Sequence, residues 1–164
     1  PNRGLDDPTL VRKIYDGSII PANRGADAAD IAARVAAFYQ PYHDAIAQTA
    51  ERLEAQGQTP RLLAIHSFTP ALIGRPKRPW EIGILWDEDA RMAAPLMASL
   101  RAEGICVGDN EPYTGQLKGD TMYQHGTTRG RPHVLIEIRN DLIATAETER
   151  DWAARLTDHV SRLA

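Results

Sequence analysis

His133-Val134-Leu135-Ile136-Glu137-Ile138-Arg139 is the stretch on which the reading of this chain turns. Val134, Ile136 and Ile138 lie two apart and would share one face of a strand, while His133, Leu135, Glu137 and Arg139 would share the other. A strand over 133–138 with apolar residues on both faces reads as one buried within a sheet. Its carboxylate stands between two isoleucines, where an unpaired charge is costly. Two readings fit Glu137: an ion pair with Arg139, two residues along on the same face, or a functional carboxylate.

Working outward, Leu62-Leu63-Ala64-Ile65 predicts a short buried strand that ends in the polar loop His66-Ser67-Phe68-Thr69-Pro70. Further strands are expected at about 81–86 and at 105–107. Helices alternate with them. From Asp27, the residues Ile31, Val35, Phe38, Tyr42, Ile46, Ala50 and Leu53 recur three or four apart, with Asp27 as cap, Gly57 as terminator and Pro41 as a kink or break. Asp87 to Asp89 read as the cap of a second helix carrying Met92, Leu96 and Leu100. A last helix from about Thr145 carries Trp152, Leu156, Val160 and Leu163. Residues 1–26 read as a turn-rich surface segment, 74–79 as too proline-rich for regular structure, and 108–127 as a long polar loop. The order predicts a single α/β domain over 1–164 with a mixed, mostly parallel central sheet.

The 164 residues are 43% hydrophobic and 25% charged, which argues against a disordered chain or a coiled coil. Nineteen basic residues against 22 acidic ones, net -3, argue against nucleic-acid binding, which needs a basic footprint. No apolar run approaches the roughly 20 residues of a membrane span. A lone Cys106 excludes a disulfide framework and fits a reducing, cytoplasmic compartment. The chain opens on Pro1-Asn2-Arg3-Gly4 without methionine, so the larger, C-terminal part of a longer protein is expected.

In sheets of this kind ligands gather beyond the carboxyl ends of the strands. His66, Asp87, Asp109 with Asn110, and Glu137 with Arg139 are expected there. His66 reads either as a metal ligand or base, or as a histidine held by a loop carbonyl. His125 reads as a loop histidine and His43 as solvent-facing or helix-packing. Cys106 reads as an inert buried strand residue, and the Arg75–Arg78 cluster as a solvated loop face.

Five ordered blocks are similar to the N-formylglutamate amidohydrolase family: Asn2-Arg3-Gly4-Leu5-Asp6-Asp7-Pro8, His66-Ser67-Phe68-Thr69-Pro70, Gly108-Asp109-Asn110-Glu111-Pro112-Tyr113, Gly119-Asp120-Thr121-Met122 with His125-Gly126, and Leu135-Ile136-Glu137-Ile138-Arg139. That family resembles zinc carboxypeptidases and aspartoacylases. The resemblance implies a hydrolase-like three-layer α/β/α sandwich, lacking its first strand or two in this chain, and hydrolysis of N-formyl-L-glutamate or a similar N-acyl amino acid. It further implies a zinc ion ligated by His66, with Glu137 as the carboxylate that activates water. Asn2 and Arg3 would hold a substrate carboxylate, and Asn110, Tyr113, His125 and Arg139 would line the pocket. A catalytic zinc usually has three protein ligands, and the remaining ones are expected upstream of this chain. The alternative expectation is a non-catalytic fragment that keeps a carboxylate pocket without the metal.

Overall fold

The computed structural model describes residues 2–163. In chain order the elements are β1 (Ile14–Tyr15), β2 (Ser18–Ile19), α1 (Ala28–Arg34), α2 (Gln40–Ala55), β3 (Leu62–Phe68), β4 (Ile82–Leu85), α3 (Ala93–Ala102), β5 (Val107–Asp109), α4 (Thr121–His125), β6 (His133–Arg139) and α5 (Ala146–Ser161). The chain divides into two compact units. The first comprises the residues up to Pro60 with Leu117–Arg131, and the second comprises Arg61–Gln116 with the residues from Pro132 onward.

In the first unit, β1 and β2 pair antiparallel around Asp16 and Gly17, whose φ angles of 48° and 73° give the positive-φ turn that matches strand twist. Asp27 caps α1 as expected, in a reciprocal box with Asp30. The helix expected from Asp27 is divided next to Pro41: a π-helical turn at Val35–Tyr39 separates α1 from α2, and Pro41 sits in the first turn of α2, where a missing N–H costs little. Residues 108–127 are not all loop: α4 forms within them, capped by Asp120, whose side chain accepts from the Tyr123 amide.

The second unit is an α/β structure with a mixed, mostly parallel four-stranded sheet flanked by helices, in the order β3-β6-β4-β5. β3 runs parallel to β6, β5 parallel to β4, and β4 antiparallel to β6. Val134, Ile136 and Ile138 share a core with Ile82 and Ile84, and it is completed by Leu96 and Leu100 of α3 and by Trp152 and Leu156 of α5. Burying each such side chain contributes roughly 1.5–3 kcal/mol.

Several local expectations are corrected. β3 runs on through Phe68, so His66 stands within the strand rather than in a following loop. The third strand lies at 107–109 rather than 105–107, and Cys106 is exposed. Asp87 and Asp89 do not cap α3, whose N-cap is Met92 without a side-chain bond. They face the buried His133 instead, Asp87 Oδ1 lying 3.3 Å from Nε2 and Asp89 Oδ2 3.9 Å from Nδ1.

Candidate active site

The face of the second unit's sheet opposite its apolar core brings His66 and Glu137 together. Parallel pairing sets His66 beside Glu137, and antiparallel pairing sets Gly83 on Glu137's other side, with Gly108 beyond it. His66 Nδ1 lies 3.5 Å from Glu137 Oε1. The imidazole is one-third exposed and the carboxylate is buried. Glu137 Oε2 is enclosed with no hydrogen-bond partner among the described residues. A buried carboxylate oxygen left unmatched is expensive unless a ligand or proton meets it.

Arg139 is not Glu137's partner, so the ion-pair reading falls. Its Nε bonds Asp141 at 2.7 Å, and its Nη1 donates to the carbonyls of Arg78, Pro79 and Trp80 at 3.4, 3.3 and 3.0 Å. The guanidinium ties the end of β6 to the segment entering β4, and with Lys77 it holds the Asp141 carboxyl below its usual range despite partial burial.

The glycines beside Glu137 have a steric reason. A Cβ on Gly83 would come within 2.2 Å of the Glu111 carbonyl, and one on Gly108 within 2.6 Å, so the Glu111-Pro112 turn lies directly on the sheet. Asn110 shapes that turn. At φ 52° it accepts through Oδ1 from the amides of Trp86 (3.0 Å) and Gly115 (2.9 Å), leaving Nδ2 for other contacts. The turn delivers Tyr113, whose hydroxyl accepts from Arg78 Nη1 at 3.3 Å. Arg78 is therefore half-buried and engaged, not part of a solvated loop face.

The remaining expected site residues belong to the first unit. Arg3 donates from Nη1 to the Asn2 carbonyl and has Nε 3.8 Å from Asp7. The Asp7 carboxyl is held low, first by the Thr9 hydroxyl and amide and then by Arg3. The Asn2 side-chain oxygen is buried without a partner among the described residues. Gly4 and Gly119 meet backbone to backbone, a Cβ on Gly119 falling 3.0 Å from the Gly4 Cα, so two of the five sequence blocks pack together. His125 is buried, not a surface loop residue. Its Nε2 lies 2.7 Å from Nδ1 of His43, which is buried too, and their rings stack at 5.0 Å. Burial, then His43, Arg131 and Arg129, keep His125 below the usual histidine range. Nothing in the sequence linked His43 to His125, because their 82-residue separation leaves no periodicity to read.

Among the described residues, no three His, Cys, Asp or Glu side chains cluster closely enough to hold a metal ion. His66 and the open oxygen of Glu137 fit one ligand and a neighbouring base. They do not make a complete zinc site by themselves.

A mixed, mostly parallel four-stranded sheet flanked by helices places the chain among α/β proteins of hydrolase-like fold. The sequence profile of the N-formylglutamate amidohydrolase family matches residues 1–144, and the chain belongs to that family. A crystal structure of a gene product of Agrobacterium tumefaciens is similar at 34% identity and a TM-score of 0.90, over 99% of this chain and 64% of that one. A crystal structure of an N-formylglutamate amidohydrolase from Ralstonia eutropha is similar in fold, at 24% identity and a TM-score of 0.60, over 83% of this chain and 57% of that one. The chain thus spans less than two thirds of either. No curated protein sequence matches it.

Proposed function

We propose that this chain carries the water-activating part of a zinc-dependent amidohydrolase that cleaves N-formyl-L-glutamate, or a similar N-acyl amino acid, to the carboxylate and the free amino acid. The observation that carries the reading is the buried Glu137, with one oxygen facing His66 and the other without a partner. Membership of the family supports it.

In this reading His66 is one zinc ligand, completed in the full-length protein by donors outside the described residues. A zinc ion there would polarise the amide carbonyl and lower the pKa of water. Glu137 takes the proton of the attacking water and later returns it to the leaving amine. Its placement on a rigid central strand holds the carboxylate at a fixed distance from His66. Arg3, presented beside Asn2, grips a substrate carboxylate with a planar fork that lysine lacks. In this reading Asn110, Tyr113, His125 and Arg139 are substrate-binding residues.

The test is formate release from N-formyl-L-glutamate by the full-length protein, read beside its zinc content. One zinc per chain with turnover is expected, and His66→Ala should lose both metal and activity. A full-length protein that folds, binds no zinc and releases no formate would overturn the reading and favour a carboxylate-binding module instead.

A further inference from the structure

We propose that Arg78 reads the side-chain carboxylate of the substrate and so sets the preference for acidic N-acyl amino acids. The inference rests on the amidohydrolase reading and adds to it a residue outside every sequence block that pointed to the family.

Arg78 leaves the proline-rich segment before β4, and its backbone is fixed on both sides. Its amide donates to the Pro70 carbonyl at 2.7 Å, and its carbonyl accepts from Arg139. The guanidinium lies 5.7 Å from the Phe68 ring and 5.2 Å from the Tyr113 ring, within cation–π reach of both. Nη1 is occupied, donating to the Thr69 carbonyl at 3.0 Å and to the Tyr113 hydroxyl at 3.3 Å. No carboxylate of the described residues pairs with it, and Nε and Nη2 donate to no described acceptor. The unit's other well-held arginines differ: Arg91 pairs with Asp89 and Arg139 with Asp141. A half-buried cation braced by two rings and two oxygens, yet lacking a counter-charge, is prepared for an anion.

Its position selects the anion. Phe68 follows His66 by two residues on the same side of β3, and it pairs in register with Arg139 just as His66 pairs with Glu137. Two strand residues span about 7 Å, so Phe68 stands one pleat step from the acid–imidazole pair, with Arg78 against its ring. In N-formylglutamate five bonds separate the formyl carbon from the side-chain carboxyl carbon, roughly 6 Å when extended. A scissile amide at Glu137 would place that carboxylate near the free edge of Arg78. Neutral side chains of the same length would reach Arg78 with only a weak acceptor.

The experiment compares N-formyl-L-glutamate with N-formyl-L-glutamine in the full-length protein. The wild type should favour the glutamate compound by at least about 30-fold in kcat/KM, equivalent to about 2 kcal/mol. Arg78→Met keeps the stem that packs on the rings and should collapse that ratio to within about threefold of unity. Arg78→Gln serves as a second variant should Arg78→Met fold poorly. If Arg78 only pins its loop, both substrates would fall together and the ratio would stand, which overturns the proposal. A protein that hydrolyses both compounds equally overturns it too, while leaving the amidohydrolase reading intact. Should the protein hydrolyse neither, the amidohydrolase reading fails, and calorimetric binding of the two compounds still decides. Preferential binding of the glutamate compound, lost in Arg78→Met, would uphold an acid-reading role. Equal binding would end it.

Discussion

The two faces of β6 are buried almost equally and made in different ways. Val134 and Ile136 are 0% exposed, and on the opposite face His133 and Glu137 are 2% and 6% exposed. The apolar face is held by packing against α3 and α5. The polar face has to satisfy charges and hydrogen-bonding groups one by one: His133 with Asp87, Arg139 with Asp141 and three carbonyls, and Glu137, among the described residues, with His66. Burial therefore does not distinguish the two faces. Incomplete satisfaction does: among the described residues of this strand, Glu137 Oε2 is the buried side-chain atom left without a hydrogen-bond partner.

The contrast can be broken from either side. The largest loss of stability should come from the apolar face, where Ile136→Ala removes a fully buried side chain and should cost about 2–5 kcal/mol, read by denaturant unfolding. Activity per folded molecule should change little. A large fall in that activity would mean that the two faces are not separable. Gly108→Ala adds a methyl where the Glu111 carbonyl already lies, and overpacking of that kind costs about 1–3 kcal/mol. Because the obstructing atom is backbone, the Asn110–Tyr113 turn has to lift, and substrate KM should rise along with the lost stability. An unaltered KM would detach that turn from the site.

A smaller effect belongs to the first unit. His125 has a folded pKa below its ordinary 6.5, mainly through burial. The folded state then binds fewer protons than the unfolded one, so stability falls as pH drops below about 6.5. His125→Gln should flatten that slope in melting curves taken between about pH 7 and pH 5. An unchanged slope would place its origin elsewhere. The smallest effect is expected from the Asp89–Arg91 pair, whose arginine is exposed and screened by solvent. Arg91→Ala should leave the denaturant midpoint almost unchanged, and a shift as large as that of Ile136→Ala would contradict the ranking.

The core strand, its two faces, the capping of α1, the start of α5 and the family were legible in the sequence, because each rests on residues close together along the chain. Alternation within seven residues sorted β6 correctly, and Thr145 caps α5 where the periodicity began. What was not legible depends on residues distant in sequence. Asp87 and Asp89 had the composition of a helix cap, and only the fold sets His133 opposite them. His43 was open between solvent-facing and helix-packing, and it packs α2 against His125 of α4. His66 was read as lying in a loop because Ser67 and Thr69 are polar, whereas pairing with β6 extends the strand past it. Arg78 lay in a segment too rich in proline to assign, and its two aromatic neighbours come from opposite sides in sequence.

The most direct measurement is Glu137→Gln in the full-length protein, with turnover of N-formyl-L-glutamate taken beside thermal unfolding and zinc content. Turnover should fall by about 10²–10⁴-fold, as for a lost general base. Zinc content and melting temperature should hold or the latter rise, since an amide removes a buried charge with an unmatched oxygen. Near-normal turnover, or lost stability with activity per folded molecule intact, would make Glu137 a structural residue and contradict the assignment of the site to this face.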